Sequence, residues 1–326
     1  ALCRQKADWL VGINATRLFS VLYHRTLNVG RVQTPTLAML AERDAKITLF
    51  HKEKYHLLRL TLDGAEAVSE KFTDSAAAEQ AAAMCKGATV TCTSVTKEQK
   101  KEQPPKLYDL TTLQREANRL YGYTAKQTLD YAQSLYEKKL LTYPRTDSRY
   151  LTSDMAETAS CVIHLAAKLP PFDGCTNFFP LVEAMASDKD VSDHHAIIPT
   201  MEIEKADIKG LPLGERNLFL LVCCKLLCAS AEPYVYEAVT ATFGCGGHSF
   251  TAKGRRVLSE GWREIDRIFR ASLKEKPADG DGGTLPDFTE GQTFDGAEVS
   301  VTEHFTQPPK PYTEVICYER GIRNRP

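Results

Sequence analysis

Apolar residues recur at helical spacing in the first fifty residues, at Trp9, Leu10, Ile13, Leu18, Val21 and Leu22 and again at Leu37, Met39, Leu40 and Ile47. That spacing predicts two helices. Between them lies Val29-Gly30-Arg31-Val32-Gln33-Thr34-Pro35-Thr36, where Pro35 suits a first helical turn and Thr34 its cap. The period then shortens. Residues 55–62 alternate as a strand and run into Asp63-Gly64 as a turn, 74–85 is an alanine-rich helix, and 88–95 is a second strand. The charged run 97–101 and Pro104-Pro105 are expected to close this small α+β unit.

Two helices follow in close succession, 111–121 and 124–138, with Gly122 as the stop between them and Thr111 with Gln114 as a capping box. A short apolar stretch, 140–143, reads as a following strand, so the block has the outline of a helix-turn-helix. From 213 the pattern changes again. An apolar helix at 218–228 leads to strands at 236–243 and 248–257, and 277–283 is a soft linker. Two α+β segments far apart in sequence predict that the helical block 105–212 is inserted into one sheet-containing domain. The segments are therefore 1–50, 51–104, 105–212, 213–287 and 288–326, in a mixed α and β, multidomain chain. No repeat of solenoid period is visible.

Composition narrows the class without naming it. The 326 residues carry 41 Lys+Arg against 42 Asp+Glu, and are 43% hydrophobic and 25% charged, as in an ordinary globular protein of two or three domains. No apolar run is long enough for a membrane span, and the first residues lack the order of a signal peptide, so a cytoplasmic protein with no membrane partner is expected. The 10 cysteines include no Cys-x-x-Cys pair, which disfavours zinc and a disulfide framework. Cys223, Cys224 and Cys228 fall within the apolar helix, where cysteine acts as a small hydrophobe. Basic residues gather at Arg4 and Lys6, at 97–106, around Lys138, Lys139, Arg145 and Arg149, and at 253–256, a distribution that permits a phosphate-binding groove.

The sharpest chemistry is in Leu141-Thr142-Tyr143-Pro144-Arg145-Thr146-Asp147-Ser148. A phenol hydroxyl can attack phosphorus when a nearby cation or base offsets its weak acidity, and Arg145 is two residues from Tyr143. The plain alternative is a Tyr-Pro turn capped by Asp147. A second stretch, Asp193-His194-His195-Ala196-Ile197-Ile198-Pro199-Thr200, offers a histidine that could orient or protonate a phosphate oxygen, or serve structure alone.

Taken in order, 4–17 (RQKADWLVGINATR), 29–37 (VGRVQTPTL), 141–148 (LTYPRTDS), 194–200 (HHAIIPT) and 307–314 (QPPKPYTE) resemble the type IA DNA topoisomerases, most of all the bacterial topoisomerase III branch. The resemblance implies an enzyme that cuts one DNA strand through a 5′-phosphotyrosine, passes a strand through the gap and reseals it, relaxing or decatenating DNA. It implies that Tyr143 is the nucleophile, that Arg145 stabilises the scissile phosphate and that His194 is the active-site histidine. Arg4, Asp8, Arg31, Gln33, Asp147 and Ser148 fall among its DNA-binding positions, with single-stranded DNA as the partner. The implied fold is a fragment of a toroid. In it, 1–50 and 288–326 belong to the helical base, and a winged-helix-like tyrosine domain is inserted in a β-rich hinge domain.

The family also has a Toprim domain whose carboxylates bind magnesium, and nothing in this chain resembles it. Asp188-Lys189-Asp190 and Asp279-Gly280-Asp281 have the spelling of its Asp-x-Asp but follow no apolar strand and read as loops. Magnesium is therefore expected for the full-length family enzyme and not for this chain, which would rely on a Toprim-containing segment of its parent and be inactive alone. The tail 315–326 departs from the family as well, as an altered or truncated coding end would. Two other readings compete. A tyrosine recombinase is suggested by the His-x-x-Arg spelling of His56-Leu57-Leu58-Arg59. A non-catalytic single-strand-binding remnant would need only basic and aromatic surface.

Overall fold

The computed structural model describes residues 2–30, 32–62, 64–174, 180–191, 193–273, 283, 285–296 and 298–312, without the side chain of Arg4. It divides into two compact units, Ala1–Glu53 with Phe305–Pro326, and Lys54–His304.

The first unit contains α1 (Leu2–Leu22) and α2 (Gln33–Thr48). The connection folds back onto α1 through two hydroxyls, Thr16 Oγ1 accepting from the Val29 amide at 2.9 Å and Ser20 Oγ from the Leu27 amide at 2.9 Å. Pro35 does occupy the first turn of α2, where its missing N–H costs nothing. Thr34 is not the cap: the helix has already begun at Gln33, and the Thr34 hydroxyl instead accepts from the Gly30 amide at 3.0 Å. The returning chain is fastened by the Thr306 amide donating to the Glu53 carbonyl at 2.9 Å, by the Glu53 amide donating to the Thr306 hydroxyl at 2.9 Å, and by the Arg43 guanidinium 4.3 Å from the Tyr312 ring centre.

In the second unit β1 (Lys54–Leu62) and β2 (Ala65–Ser69) form a hairpin pairing Arg59 with Val68. Helix α3 (Ser75–Cys85), capped by the Asp74 carboxylate, leads to β3 (Val90–Glu102). The helices α4 (Leu110–Tyr121), α5 (Ala125–Glu137), α6 (Ala156–Ala167) and α7 (Leu213–Ser230) come next. After them the chain returns to the sheet with β4 (Tyr234–Cys245) and β5 (His248–Ser259), adds α8 (Trp262–Ser272), and ends with β6 (Thr293–Phe294) and β7 (Glu298–Phe305). All seven strands join one sheet in the order β6-β3-β4-β5-β2-β1-β7. Strands on both sides of the helical block thus share one ladder, as the split α+β pattern predicted.

Three further sequence expectations need correcting. The run 97–101 does not close the unit but continues β3, because the long β4 offers it backbone partners from Lys97 opposite Val239 to Lys101 opposite Val235. The α4 cap is Asp109 with Thr112, not Thr111 with Gln114, and Gln114 reaches the Ala125 carbonyl at 2.9 Å instead. The stretch 140–143 makes only one isolated bridge, Leu141 to Pro199, so it is not a regular strand. Gly122 does end α4 in the left-handed region, at φ 69°.

Two cores result. Leu58, Leu60, Cys92, Phe243, Phe250 and Phe288 fill the sheet core, with Ala81 and Cys85 of α3. The helical core joins Leu113, Leu135, Val162 and Ile163 to Leu218, Phe219 and Cys223 of α7 and to Ile265 and Phe269 of α8. Helix α7, assigned from sequence to the segment beginning at 213, therefore packs with the helices before it, since a helix apolar on all sides needs covering on all sides. Its three cysteines are buried small hydrophobes. The soft linker at 277–283 lies almost wholly outside the described residues. Among those described, no helix is long and apolar enough to cross a membrane.

Candidate active site

Helix α5 ends at Glu137, and Lys139 reverses the chain in the left-handed region, at φ 60°. Leu140 and Leu141 then bury themselves in the helical core and carry the backbone to Tyr143. The facing segment, 194–200, runs between two neighbours. On one side the Ile197 amide donates to the Tyr108 carbonyl at 2.8 Å; on the other the Thr142 amide donates to Ile198 at 3.0 Å and the Thr200 amide to Leu140 at 3.1 Å. Ala196, Ile197 and Ile198 are fully buried, so this segment is anchored from within and leaves His194 at its exposed end.

That pairing brings together two side chains that are remote in sequence. The rings of Tyr143 and His194 lie 4.5 Å apart, inclined by 48°, and Tyr136 from the last turn of α5 meets the opposite partner of the pair, Tyr143, edge-on at 5.5 Å. Tyr143 is half-buried, whereas Arg145 and Asp147 are exposed in the turn that follows. Close by, the Arg149 Nε donates to the Leu107 carbonyl at 3.1 Å and the Lys106 ammonium stands 4.7 Å from the Tyr150 ring centre. A half-buried phenol beside an imidazole, with an exposed guanidinium two residues on, is suited to meeting a phosphodiester.

Ser148 is placed otherwise. It is buried, and its hydroxyl donates to the Asp190 carbonyl at 2.8 Å, tying the tyrosine turn to the 188–190 loop. It lies beneath the turn. In the first unit Asp8 is half-buried on α1 and Gln33 is exposed at the start of α2. Arg31 and the Arg4 side chain lie outside the described residues.

The carboxylates of the 188–190 loop are held by hydroxyl and amide donors. Asp188 accepts from the amide and hydroxyl of Ser153 at 2.8 and 2.7 Å, bonds that hold its carboxyl below the usual range, and Asp190 accepts from the Ser187 hydroxyl at 2.7 Å. Among the described residues no group of three His, Cys, Asp or Glu side chains could hold a metal ion. The second Asp-x-Asp, at 279–281, lies outside them. The recombinase spelling also dissolves, since His56 and Arg59 fall on opposite faces of β1, with His56 buried and Arg59 paired to Glu66 at 2.9 Å.

Sequence reasoning missed Tyr136, Thr142 and Thr146. Tyr136 has no signal before the end of α5 is known, and both threonines sat within the quoted motif without a role.

The sequence pattern of the DNA topoisomerase family matches residues 1–316. DNA topoisomerase 3 of Bacillus licheniformis is 36% identical over 326 residues, covering 96% of this chain and 44% of that protein. That of Bacillus subtilis is 36% identical over 327 residues with the same coverage. Full-length topoisomerase I of Thermotoga maritima shares the fold, with a TM-score of 0.74 over 99% of this chain and 52% of that one, at 24% identity. The chain thus spans less than half the length of the topoisomerase 3 relatives it matches.

Proposed function

The chain belongs to the type IA DNA topoisomerase family, and from that premise we propose that it carries the strand-cutting tyrosine of a topoisomerase III-like protein, acting on single-stranded DNA. The Tyr143 oxygen attacks the scissile phosphorus; the new O–P bond forms as the bond to the 3′ oxygen breaks, leaving a 5′-phosphotyrosine and a free 3′ hydroxyl. Arg145 neutralises charge that builds on the phosphate oxygens in the transition state. His194 binds one of those oxygens or passes a proton, a role supported by its ring contact with Tyr143. After a strand has crossed the gap, the 3′ hydroxyl attacks the phosphotyrosine and releases Tyr143. Magnesium, where the parent protein uses it, would be held by residues other than those described, in a Toprim-containing segment, and no step above runs through it.

The observation that carries this reading is the contact of Tyr143 with His194, with Arg145 exposed beside it. The test is an SDS-resistant adduct assay on labelled single-stranded DNA, with and without magnesium, beside a native gel-shift. In the parent protein that carries the Toprim-containing segment, the expected result is an adduct that is lost in Tyr143→Phe with the shift retained. Adduct unchanged in Tyr143→Phe would refute the nucleophile; a shift without any adduct would favour a strand-binding role for the chain.

A further inference from the structure

We propose that Thr142 and Thr146 are positioning residues whose hydroxyls hold Tyr143 against His194, an inference that rests on the proposed role of Tyr143. The two flank the tyrosine, one residue before it and three after. Thr142 Oγ1 donates to the Ala196 carbonyl at 3.2 Å and accepts from the Ile198 amide at 3.0 Å. Thr146 Oγ1 donates to the carbonyl of His194 itself at 2.9 Å and accepts from the Ser148 amide at 3.1 Å. Each hydroxyl therefore both gives and takes a hydrogen bond, which only serine or threonine can do from this short side chain.

Their placement makes them more than fillers. Thr146 is buried and Thr142 half-buried, so water does not readily replace the lost partner of a backbone group when either hydroxyl is removed. The regular ladder cannot take over the task, because Pro199 lacks an N–H and the pairing stops at one bridge, Leu141 to Pro199. Between Thr142 and Thr146 the chain turns through Pro144, and no strand pairing holds the Tyr143 segment there. Backbone bonds hold each end once, the Thr142 amide to Ile198 at 3.0 Å and the Leu110 amide to the Thr146 carbonyl at 3.1 Å; the hydroxyls add the second tie at each end, and only that of Thr146 reaches the backbone of the histidine.

The experiment follows the imidazole protons of His194 by NMR in the chain as it stands, labelled on histidine, with the His194 signal identified by its loss in His194→Ala. The Tyr143 ring, at 4.5 Å, shifts that signal, and Tyr143→Leu gives its position without the ring. Thr142→Val and Thr146→Val preserve shape and remove the hydroxyl. Each is expected to move the His194 signal most of the way toward the Tyr143→Leu position while the histidine signals other than that of His195, whose ring meets the same Ala196 carbonyl as Thr142, stay, and Thr142→Ser and Thr146→Ser are expected to leave it in place. A His194 signal unmoved in both valine variants, or moved as far by serine as by valine, would overturn the proposal. If a valine variant does not fold, which loss of dispersion in all the histidine signals reveals, the alanine variant at that position is read by the same two criteria.

Misplacing a nucleophile by about 1 Å costs roughly a hundredfold in rate, so the valine variants should also form adduct about tenfold to a hundredfold more slowly. The two readings fail separately. Adduct that survives Tyr143→Phe defeats the nucleophile but leaves the dependence of the ring contact on the hydroxyls; an unmoved His194 signal defeats the positioning role alone.

Discussion

The ring of His194 stands 4.5 Å from that of Tyr143, and neither residue could reach this distance through its own segment alone. The histidine is delivered by a stretch held between Tyr108 and Leu141, which bridge Ile197 and Pro199 respectively. The tyrosine is delivered by the left-handed turn at Lys139. Because Ala196, Ile197 and Ile198 are buried, the geometry is set from the core outward and should persist without DNA.

Arg145 is exposed at the same turn and has no place in the helical core. If its principal contact forms as charge develops on the phosphate, Arg145→Ala lowers the rate of adduct formation by about a hundredfold, in line with loss of one charge-stabilising donor. Strand affinity should fall by much less, as expected for one phosphate contact among several. Time courses of adduct formation beside gel-shift titrations check this. Equal losses in both would make Arg145 a binding residue.

Ser148 and Asp147 are neighbours with opposite exposure, and they should separate stability from surface chemistry. Ser148→Ala removes the bond to the Asp190 carbonyl and the hydroxyl that accepts from the half-buried Tyr150 amide at 3.2 Å, which costs about 0.5–1.5 kcal/mol. Asp147→Asn alters an exposed side chain and should change stability by less than about 0.5 kcal/mol. Urea unfolding of the two variants distinguishes them. Equal midpoints would show that the Ser148 bond carries no weight.

The two helices of 1–50, the α4–α5 pair and the long strands were legible because each rests on a local period or stop, such as Gly122 in the left-handed region. The split sheet was legible too, from two α+β segments separated by helices. What sequence alone missed depends on partners far away in the chain. The run 97–101 reads as a charged closure until β4 lies beside it, and Ser148 reads as surface until the 188–190 loop covers it. Cap positions moved for a similar reason, since Asp109 and Thr111 are both plausible caps until the backbone selects one. Motif recognition found Tyr143 and His194 as letters; only the fold shows that two threonine hydroxyls connect them.

The cysteines should divide by burial. Among the described residues Cys3 and Cys161 are exposed, whereas Cys85, Cys92, Cys223, Cys224, Cys228 and Cys245 are buried. Burial, with the neighbouring Cys245 thiol, pushes Cys85 up to about 11, and burial raises Cys223 and Cys224 as well. Iodoacetamide at mild alkaline pH should then label Cys3 and Cys161 at least a hundredfold faster than Cys85, since the thiolate is the reactive form, at roughly a tenfold penalty per pKa unit. Peptide mass mapping before and after adding urea measures the ratio. Ready labelling of Cys85 in the native protein would contradict its placement between α3 and β4.

The pH dependence of the helical core should report Glu116. Burial alone would raise its carboxyl, but the hydrogen bond from Arg119 and the charges of Arg119, Lys225 and Arg270 outweigh burial and hold it below the ordinary 4.5. A carboxyl lowered in the folded state binds its proton more weakly there than in the unfolded chain. Its stabilising contribution is therefore complete above pH 4.5 and is lost as pH falls through the lower folded value. Glu116→Gln removes the charge at every pH. Near neutrality it should cost about 1–2 kcal/mol, the scale of a charged hydrogen bond, because Arg119 loses its charged acceptor at 2.6 Å and Arg270, still held by Asp266 at 2.7 Å, loses its 3.5 Å contact with the carboxylate. As the pH falls below the ordinary carboxylate value, the wild-type and variant unfolding curves should converge, because the wild type then carries a neutral side chain too. Melting curves at stepwise lower pH follow the difference. A gap that stays constant would show that Glu116 stabilises the core by packing and not by its charge.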